Sequence, residues 1–268
     1  MKLGDLHILP VWDGDARVRA RDVFTPPGGD EAHWACNAEH FTADGDFEMA
    51  LGGFLIRTGE RVVLVDAGLG PIQAGPFHGG QFLDSLHALG VVPADVTDVL
   101  LTHLHLDHIG WTSIEGKPVF PNATYRCHTA DWHQFVDTPE PDTWAGPKLS
   151  TIAERVELFD ADITLAPGID ARHSPGHTPG STIFIVSSGD QRAMLLGDVA
   201  HSPVELLDAG WETAYDTDRQ AGREARARLI DEIEADGTPV ASPHFAGLRF
   251  GRVLVGIDSR RWIYLDSQ

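Results

Sequence analysis

Residues 102–110, Thr-His-Leu-His-Leu-Asp-His-Ile-Gly, constrain this chain most, because three imidazoles and a carboxylate fall within six consecutive positions. Imidazole nitrogen and carboxylate oxygen are good ligands for zinc and similar metals, and four such groups directly behind an apolar strand would add nothing to a hydrophobic core. In an extended chain His103, His105 and Asp107 would share one face while His108 pointed away. The segment is therefore predicted to be a strand end that turns after His105 into a metal-binding loop.

The composition is that of an ordinary globular protein, with 268 residues, 42% of them hydrophobic and 22% charged. No window approaches the roughly 18 apolar residues of a membrane span. The start of the chain, Met-Lys-Leu-Gly-Asp, lacks the layout of a secretory signal, so we expect a cytoplasmic protein. Cys36 and Cys127 are too few and too far apart for a disulfide framework or a zinc site.

The formal net charge of -20 comes from 40 acidic and 20 basic residues, and the acidic ones are scattered along the chain. Binding to phosphate backbones requires clustered positive charge, which this sequence lacks. We therefore expect a small-molecule substrate, and neither nucleic acid nor a membrane as a partner.

Short apolar strands alternate with helix patterns along the chain, without a linker or an internal repeat. This alternation predicts one α/β domain over residues 1–268, in which residues 10–50 are partly a loop on the substrate side. The pattern predicts these elements: a hairpin over 52–66, a helix over 81–89, a strand over 98–102, a helix near 149–156, strands over 181–186 and 192–196, a helix over 219–235 and a strand over 239–242.

Three further side chains of ligand type follow predicted strands or turns. His177 lies in a Pro-Gly-His-Thr turn before the strand over 181–186, Asp198 follows the apolar run that ends at Gly197, and His244 follows the strand over 239–242. Loops that leave a buried scaffold are where precise sites are built. The sequence thus supplies enough candidates for a second metal.

In these motifs the chain resembles the metallo-β-lactamase-fold hydrolases. The shared features occur in the expected order over roughly residues 50–250: Asp66 after an apolar strand, the His-x-His-x-Asp-His run at 103–108, His177 in its turn, Gly197-Asp198 and His244. The resemblance implies a four-layer αββα sandwich, of class α/β (α+β), with two divalent metal ions at one edge between the sheets.

The resemblance also implies a ligand set. Its members are His103, His105 and His177 for one metal, Asp107, His108 and His244 for the other, and Asp198 bridging both. Zinc is the first expectation, with cobalt, manganese or iron as alternatives for the same donors. A hydroxide shared by the metals would attack the substrate, Asp107 would move the proton to the leaving group, and the turn at Asp66 would support the site.

Within the superfamily, the chain is most similar to the group of acyl-homoserine lactonases and methyl parathion hydrolase. The β-lactamase branches lack an aspartate at the position of Asp198, and the hydroxyacylglutathione hydrolases carry a different stretch after it. The lactonases have a tyrosine three positions beyond that aspartate, where this chain has His201, as in methyl parathion hydrolase. His201 would donate a hydrogen bond or a proton to the substrate, or else be a polar residue at the pocket rim.

Three functions follow from this interpretation. The first is hydrolysis of a lactone or carboxylic ester, with an acyl-homoserine-lactone-like substrate. The second is phosphotriester hydrolysis, and the third is a non-catalytic metal-binding sensor or partner protein. The resemblance suggests a homodimer. Five apolar residues are candidates both for the wall of an acyl or aryl pocket and for ordinary core packing: Trp34, Trp111, Phe245, Leu248 and Phe250.

Overall fold

The computed structural model describes residues 1–138, 144–257 and 259–265. The strands within these ranges are β1 Lys2–Leu3, β2 Leu6–Arg19, β3 Phe24–Thr25, β4 Asp46–Thr58, β5 Arg61–Val65, β6 Gln73–Ala74, β7 Phe77–His78, β8 Asp98–Leu100, β9 Ser113–Ile114, β10 Lys117–Pro118, β11 Thr124–His128, β12 Val156–Phe159, β13 Ile163–Ala166, β14 Ile169–His173, β15 Thr182–Ser188, β16 Gln191–Leu195, β17 Glu212–Thr213, β18 Val240–Ala241, β19 Gly251–Val255 and β20 Arg260–Tyr264. The α-helices are α1 Ala20–Val23, α2 Ala32–Cys36, α3 Phe82–Ala88, α4 Leu106–Ile109, α5 Thr129–Trp132, α6 Ala145–Ser150, α7 Val204–Leu207 and α8 Arg219–Asp236.

Two mixed sheets form the centre of the fold. The first has the order β12-β11-β8-β5-β4-β2-β7-β6, with β1 paired to β2, and the second has the order β13-β14-β15-β16-β18-β19-β20. Each contains one parallel pair that matters for the site, β5 with β8 and β16 with β18. Parallel neighbours end at the same edge of a sheet, so each pair delivers two loops to one place.

Alternating side chains of the strands place the two sheets face to face. In β5, Val63 and Val65 join a core that also contains Phe184 and Leu195 of the second sheet. Leu64, between them, points the other way and packs in a core with residues of α3 and α6. The two-residue period of a strand thus fills one apolar layer between the sheets and another outside the first sheet.

Helix α8 covers the outer face of the second sheet. Leu229, Ile230 and Ile233 pack against Ile183 and Met194 of that sheet. Asp218 caps the start of the helix by accepting from Ala221 N at 3.0 Å, and Gly237 ends it with a left-handed φ of 65°. The layers therefore run helix, sheet, sheet, helix, and the predicted αββα sandwich is confirmed.

Most predicted elements occur near the predicted positions, including the hairpin of β4 and β5, the helix α3 and the helix α8. The helix predicted near 149–156 is wrong at its end, because α6 stops at Ser150 and Val156 begins β12. Val156 pairs with Tyr125 of the neighbouring strand, and this long-range pairing outweighs the local helix pattern. No helix among the described residues combines the length and apolar character needed to cross a membrane.

Candidate metal centre

Strand ends deliver most of the candidate ligands to one edge of the sandwich. Residues 103–108 follow β8 and enter the short helix α4, which supplies the turn predicted after His105. Asp198 follows β16, and His244 follows β18. His177 arrives differently, from the loop that joins the antiparallel strands β14 and β15. All seven predicted ligand side chains meet there, in two groups.

The first group consists of His103, His105, His177 and Asp198. His177 Nε2 lies 2.9 Å from His105 Nδ1 and 3.2 Å from His103 Nε2, and the latter two nitrogens are 3.0 Å apart. Asp198 Oδ2 lies 3.5 Å from His177 Nε2 and 3.7 Å from His103 Nε2. Ligands of a tetrahedral zinc, at about 2.0–2.2 Å from the ion, are roughly 3.3–3.5 Å apart, so four donors with this spacing suit one ion.

The second group consists of Asp107, His108 and His244. His244 Nε2 lies 3.5 Å from Asp107 Oδ2 and 3.1 Å from Asp198 Oδ2. His108 Nε2 lies 3.8 Å from Asp107 Oδ1 and 3.3 Å from Asp198 Oδ1. The Asp198 carboxylate therefore stands between the two groups. Its Oδ2 is near donors of both groups, and its Oδ1 is near His108 of the second group.

In three of the five candidate histidine ligands, the ring nitrogen that faces away from the centre contacts a partner that fixes the ring. His108 Nδ1 lies 2.9 Å from Asp66 Oδ2, His103 Nδ1 3.1 Å from Thr102 Oγ1, and His244 Nδ1 3.0 Å from the carbonyl oxygen of Ala50. A proton on Nδ1 leaves the lone pair of Nε2 free for a metal, which is how outer partners orient histidine ligands. Three of the rings are thus held with Nε2 toward the centre.

Two orphaned atoms show that the residues fit metal ions. His108 Nε2 and Asp198 Oδ1 are buried and have no hydrogen-bond partner. A buried polar atom without a partner costs about 1–3 kcal/mol, and coordination to a divalent metal would satisfy both atoms. Five imidazoles and two carboxylates are also a donor set that suits zinc and its neighbours.

Burial and charge set the protonation of the imidazoles. Burial lowers the pKa of His103 and His177, and it lowers the pKa of His105 to about 3, so these rings are neutral and present lone pairs. Burial also disfavours the charged form of His108, but Asp198 and Asp66 outweigh it and raise its pKa well above the ordinary value. Protons on His108 therefore compete with a metal for this site.

His201 lies beside the centre and also borders the pocket. It is 1% exposed, its ring stacks parallel to His244 at 5.6 Å, and its Nε2 is 3.2 Å from Asp198 Oδ2. Burial disfavours a charged ring, but the carboxylates of Asp198 and Glu205 raise the pKa of His201 to about 10. The two carboxylates that flank this ring thus favour its protonated form.

A pocket of about 390 Å³ opens beside the ligands. Its apolar wall is formed by Met49, Leu69, Phe77 and Leu106, and its polar wall outside the seven ligands by His201 and Tyr215. Asp107 borders the pocket with 22% of its side chain exposed. The ligand groups therefore face a mainly apolar cavity large enough for a small organic molecule.

The five apolar residues considered for this wall do not line it. Trp111 is buried and donates to Asp13, Trp34 packs edge-on against Trp211, and the other three belong to core clusters: Phe245, Leu248 and Phe250. Of residues 10–50, Met49 lines the pocket, from the long strand β4 rather than from a loop. Of the two alternatives for these five residues, pocket wall and core packing, the structure shows core packing.

Sequence reasoning missed Asp131, a fully buried residue of α5. Its carboxylate accepts from Leu104 N at 3.0 Å, from Thr178 Oγ1 at 3.0 Å and from Gly180 N. Leu104 lies between two candidate ligands and Thr178 directly follows a third, so Asp131 joins the two loops of the first group. Burial raises its pKa to about 6. Nothing local in the sequence connects this position to the site.

A family model, the metallo-beta-lactamase superfamily, matches residues 53–243. The chain therefore belongs to this superfamily. An N-acyl homoserine lactonase from Bacillus sp. is 26% identical over 162 residues, which are 53% of this chain and 60% of that lactonase. The chain thus matches less than two thirds of that relative's length.

Among solved structures, the chain is similar to AidC, described as a dizinc quorum-quenching lactonase in complex with a product. The TM-score is 0.86 at 26% identity, covering 100% of this chain and 97% of AidC. The hydrolase AbOPH of the beta lactamase superfamily has a TM-score of 0.83 at 23% identity, with 100% and 97% covered, and at that identity the likeness concerns the fold.

Proposed function

We propose that the protein is a two-metal hydrolase that acts on a lactone or carboxylic ester with an apolar acyl group. The observation that carries this proposal is the opening of both ligand groups, joined by Asp198, onto one apolar pocket. The similarity to N-acyl homoserine lactonases supports the same substrate class. His103, His105, His177 and Asp198 would hold one metal, and Asp107, His108, His244 and Asp198 the other.

When bound, two divalent metals would polarise the scissile carbonyl and lower the pKa of bound water toward about 7. Asp107 is one of the candidate ligands that border the pocket, and with 22% of its side chain exposed its carboxylate would accept the proton of the attacking water. Ring opening or ester cleavage releases an alkoxide that must be protonated, and Asp107 would deliver the proton to it. His201, positively charged behind Asp198, would support negative charge that develops nearby.

The apolar wall would bind the acyl group. Each methylene that Met49, Leu69, Phe77 and Leu106 remove from water contributes about 0.8 kcal/mol. If this contact persists in the transition state, kcat/KM should rise by about fourfold per added methylene, until the pocket of about 390 Å³ is filled.

A substrate panel tests this function with the metal-loaded protein. Acyl-homoserine lactones of increasing chain length, aryl esters and dialkyl aryl phosphotriesters would be compared by kcat/KM. We expect lactones first, with the dependence on chain length given above. Faster turnover of the phosphotriesters would replace the proposal with the phosphotriesterase alternative. If the protein binds two metals but turns over no compound of the panel, the proposal of a hydrolase is contradicted and the non-catalytic metal-binding sensor is favoured.

A further inference from the structure

Arg226 is fully buried in the middle of α8. It occupies the apolar face of the helix, between Gly222 and Leu229, where the sequence pattern otherwise places small or aliphatic residues. A buried guanidinium is expensive unless charges and hydrogen bonds compensate it. Its position on this face therefore calls for partners within the protein.

Two buried carboxylates and two backbone carbonyls supply that compensation. One guanidinium nitrogen lies 2.9 Å from Asp216 Oδ2, and the other lies 3.5 Å from Glu205 Oε1. The same two nitrogens donate at 3.4 Å to the carbonyl oxygens of Trp211 and Val199. The planar guanidinium, with several N–H groups in fixed directions, suits these four oxygen partners better than the ammonium group of a lysine would.

Each carboxylate leads onward to an imidazole of the metal centre. Asp216 Oδ1 lies 3.6 Å from His177 Nδ1, and both atoms are buried and have no hydrogen-bond partner. Glu205 Oε2 accepts from His201 N at 2.6 Å and lies 3.7 Å from His201 Nδ1. One guanidinium thus stands behind two imidazoles, one of which is a candidate ligand.

The two imidazoles meet again at Asp198. Its Oδ2 lies 3.5 Å from His177 Nε2 and 3.2 Å from His201 Nε2. A closed ring of side chains therefore runs from Arg226 through Asp216 and His177 to Asp198, and returns through His201 and Glu205. All its members are 7% exposed or less.

The backbone supports the same connection. The amide of Asp218, which caps α8, donates to the carbonyl oxygen of Gly176 at 2.9 Å, and the amide of Thr217 donates to that of His177 at 3.0 Å. A Cβ on Gly176 would lie 2.3 Å from the amide nitrogen of Gly222, so the loop and the helix approach closely. The start of α8 and the loop carrying His177 are thus fixed to each other.

We propose that Arg226 is a positioning residue of the metal centre, acting through the carboxylates of Asp216 and Glu205. It holds Asp216 toward Nδ1 of His177, which leaves Nε2 of that ring for a metal, and it holds Glu205 behind His201. This inference deepens the proposed function and rests on it. Such a carboxylate does not bind the metal itself. It lies beside the second ring nitrogen of a histidine ligand and so sets the orientation of the ring.

Cobalt binding tests the proposal without a substrate. Metal-free protein would be titrated with Co²⁺, measuring the dissociation constant by chelator competition and the ligand field by visible absorption. We expect R226M to weaken Co²⁺ binding by about 10- to 100-fold and to change the absorption bands, and R226K to recover part of the loss. Unchanged affinity and spectrum in folded R226M would overturn the proposal.

The matched control is R172M. Arg172 lies 2.6 Å from Glu232 of the same helix, in an ion pair that does not contact the ligands. This variant should bind Co²⁺ as the parent does. Circular dichroism and thermal unfolding of the metal-free proteins would show whether each variant is folded.

Removal of Arg226 leaves two buried carboxylates without their cation, which by itself could prevent folding. D216N and E205Q therefore carry the test independently, since both keep the shape of the side chain. D216N should weaken Co²⁺ binding, and E205Q should change turnover more than affinity. If neither has an effect, Arg226 is not a positioning residue.

The triple variant R226M/E205Q/D216N separates positioning from neutralisation of charge. It removes the charges of Arg226 and of its two carboxylate partners together and should fold, but it should not regain the Co²⁺ affinity of the parent. Full recovery would mean that the network only balances charge, and the inference would fail. A parent protein that binds two Co²⁺ and shows these effects, yet hydrolyses nothing, would contradict the proposed function alone.

Discussion

At the scale of single residues, hydrogen bonds to Nδ1 orient Nε2 toward the centre in three of the candidate histidine ligands. Asp66 is the clearest case, because it closes β5 with a φ of 62° and turns its carboxylate toward His108 and Thr102. Asp66 accepts from Thr102 N at 2.9 Å and from Thr102 Oγ1 at 2.9 and 3.0 Å. A residue expected only to support the site thus orients one candidate ligand directly.

Replacing this carboxylate should weaken metal binding. D66N has one oxygen and one amide group, so either Thr102 N or His108 Nδ1 loses its acceptor. We expect the affinity for a divalent metal to fall by about 10- to 100-fold, measured by chelator competition on metal-free protein. D98N is the control, because Asp98 is a buried carboxylate that pairs with Arg61 and Arg126. Equal affinities of D66N and the parent would contradict the assignment.

At the scale of elements, the site depends on how closely α8 approaches the loop before it. Gly222 lies on the buried face of α8, and a Cβ there would meet Asp216 Oδ2 at 2.4 Å and Cγ at 2.9 Å. Glycine inside a helix ordinarily costs about 1 kcal/mol relative to alanine. Here it provides the space in which Asp216 packs against α8 and pairs with Arg226 of the same helix.

Replacing Gly222 with alanine should therefore destabilise the protein, which is the opposite of what helix propensity predicts. G222A should lower the free energy of unfolding by roughly 1–3 kcal/mol, although helix propensity alone would raise it, because Asp216 must leave Arg226. Urea unfolding of metal-free protein measures the effect. A227G, at an exposed position of the same helix, should cost about 1 kcal/mol by propensity alone. A G222A variant as stable as the parent would show that the helix can shift without cost.

At the scale of the whole molecule, the metal centre joins the two sheets. Its ligands come from the ends of β8 in one sheet and of β16 and β18 in the other, and from the loop between β14 and β15. An ion bound there links parts of the chain that are distant in sequence. Because the unfolded chain lacks this geometry, the free energy of binding stabilises the native state.

Metal removal should therefore lower the melting temperature. At free metal 100 times its Kd, one site contributes about 2.7 kcal/mol, which for a protein of this size is roughly 5–10 °C. Calorimetry with and without a chelator would measure the shift, and mass spectrometry should find about two metals per chain. D198A should show a much smaller shift. Identical melting of loaded and stripped parent protein would contradict the two-metal centre.

Local pattern predicted part of the elements and all seven candidate ligands. Short apolar and β-branched runs gave the hairpin of β4 and β5, and an apolar stripe of Leu229, Ile230 and Ile233 in the Ala/Arg/Glu-rich stretch 219–235 gave α8. Side chains of ligand type after strands and turns gave the positions that the structure gathers. Arg226 stands in the same stripe, and a charge on an apolar face was the one signal that could have revealed the network behind the site.

The sequence by itself determined the metal chemistry, because His103 to His108 are neighbours along the chain and their donor atoms need only one turn to converge. Tertiary structure alone decided what surrounds them. The apolar wall combines Met49, Leu69 and Leu106 from separate segments, while conspicuous aromatic residues went to the core. The physical reason is that a pocket and a buried charge network arise from contacts across distant strands and helices, which no local periodicity encodes.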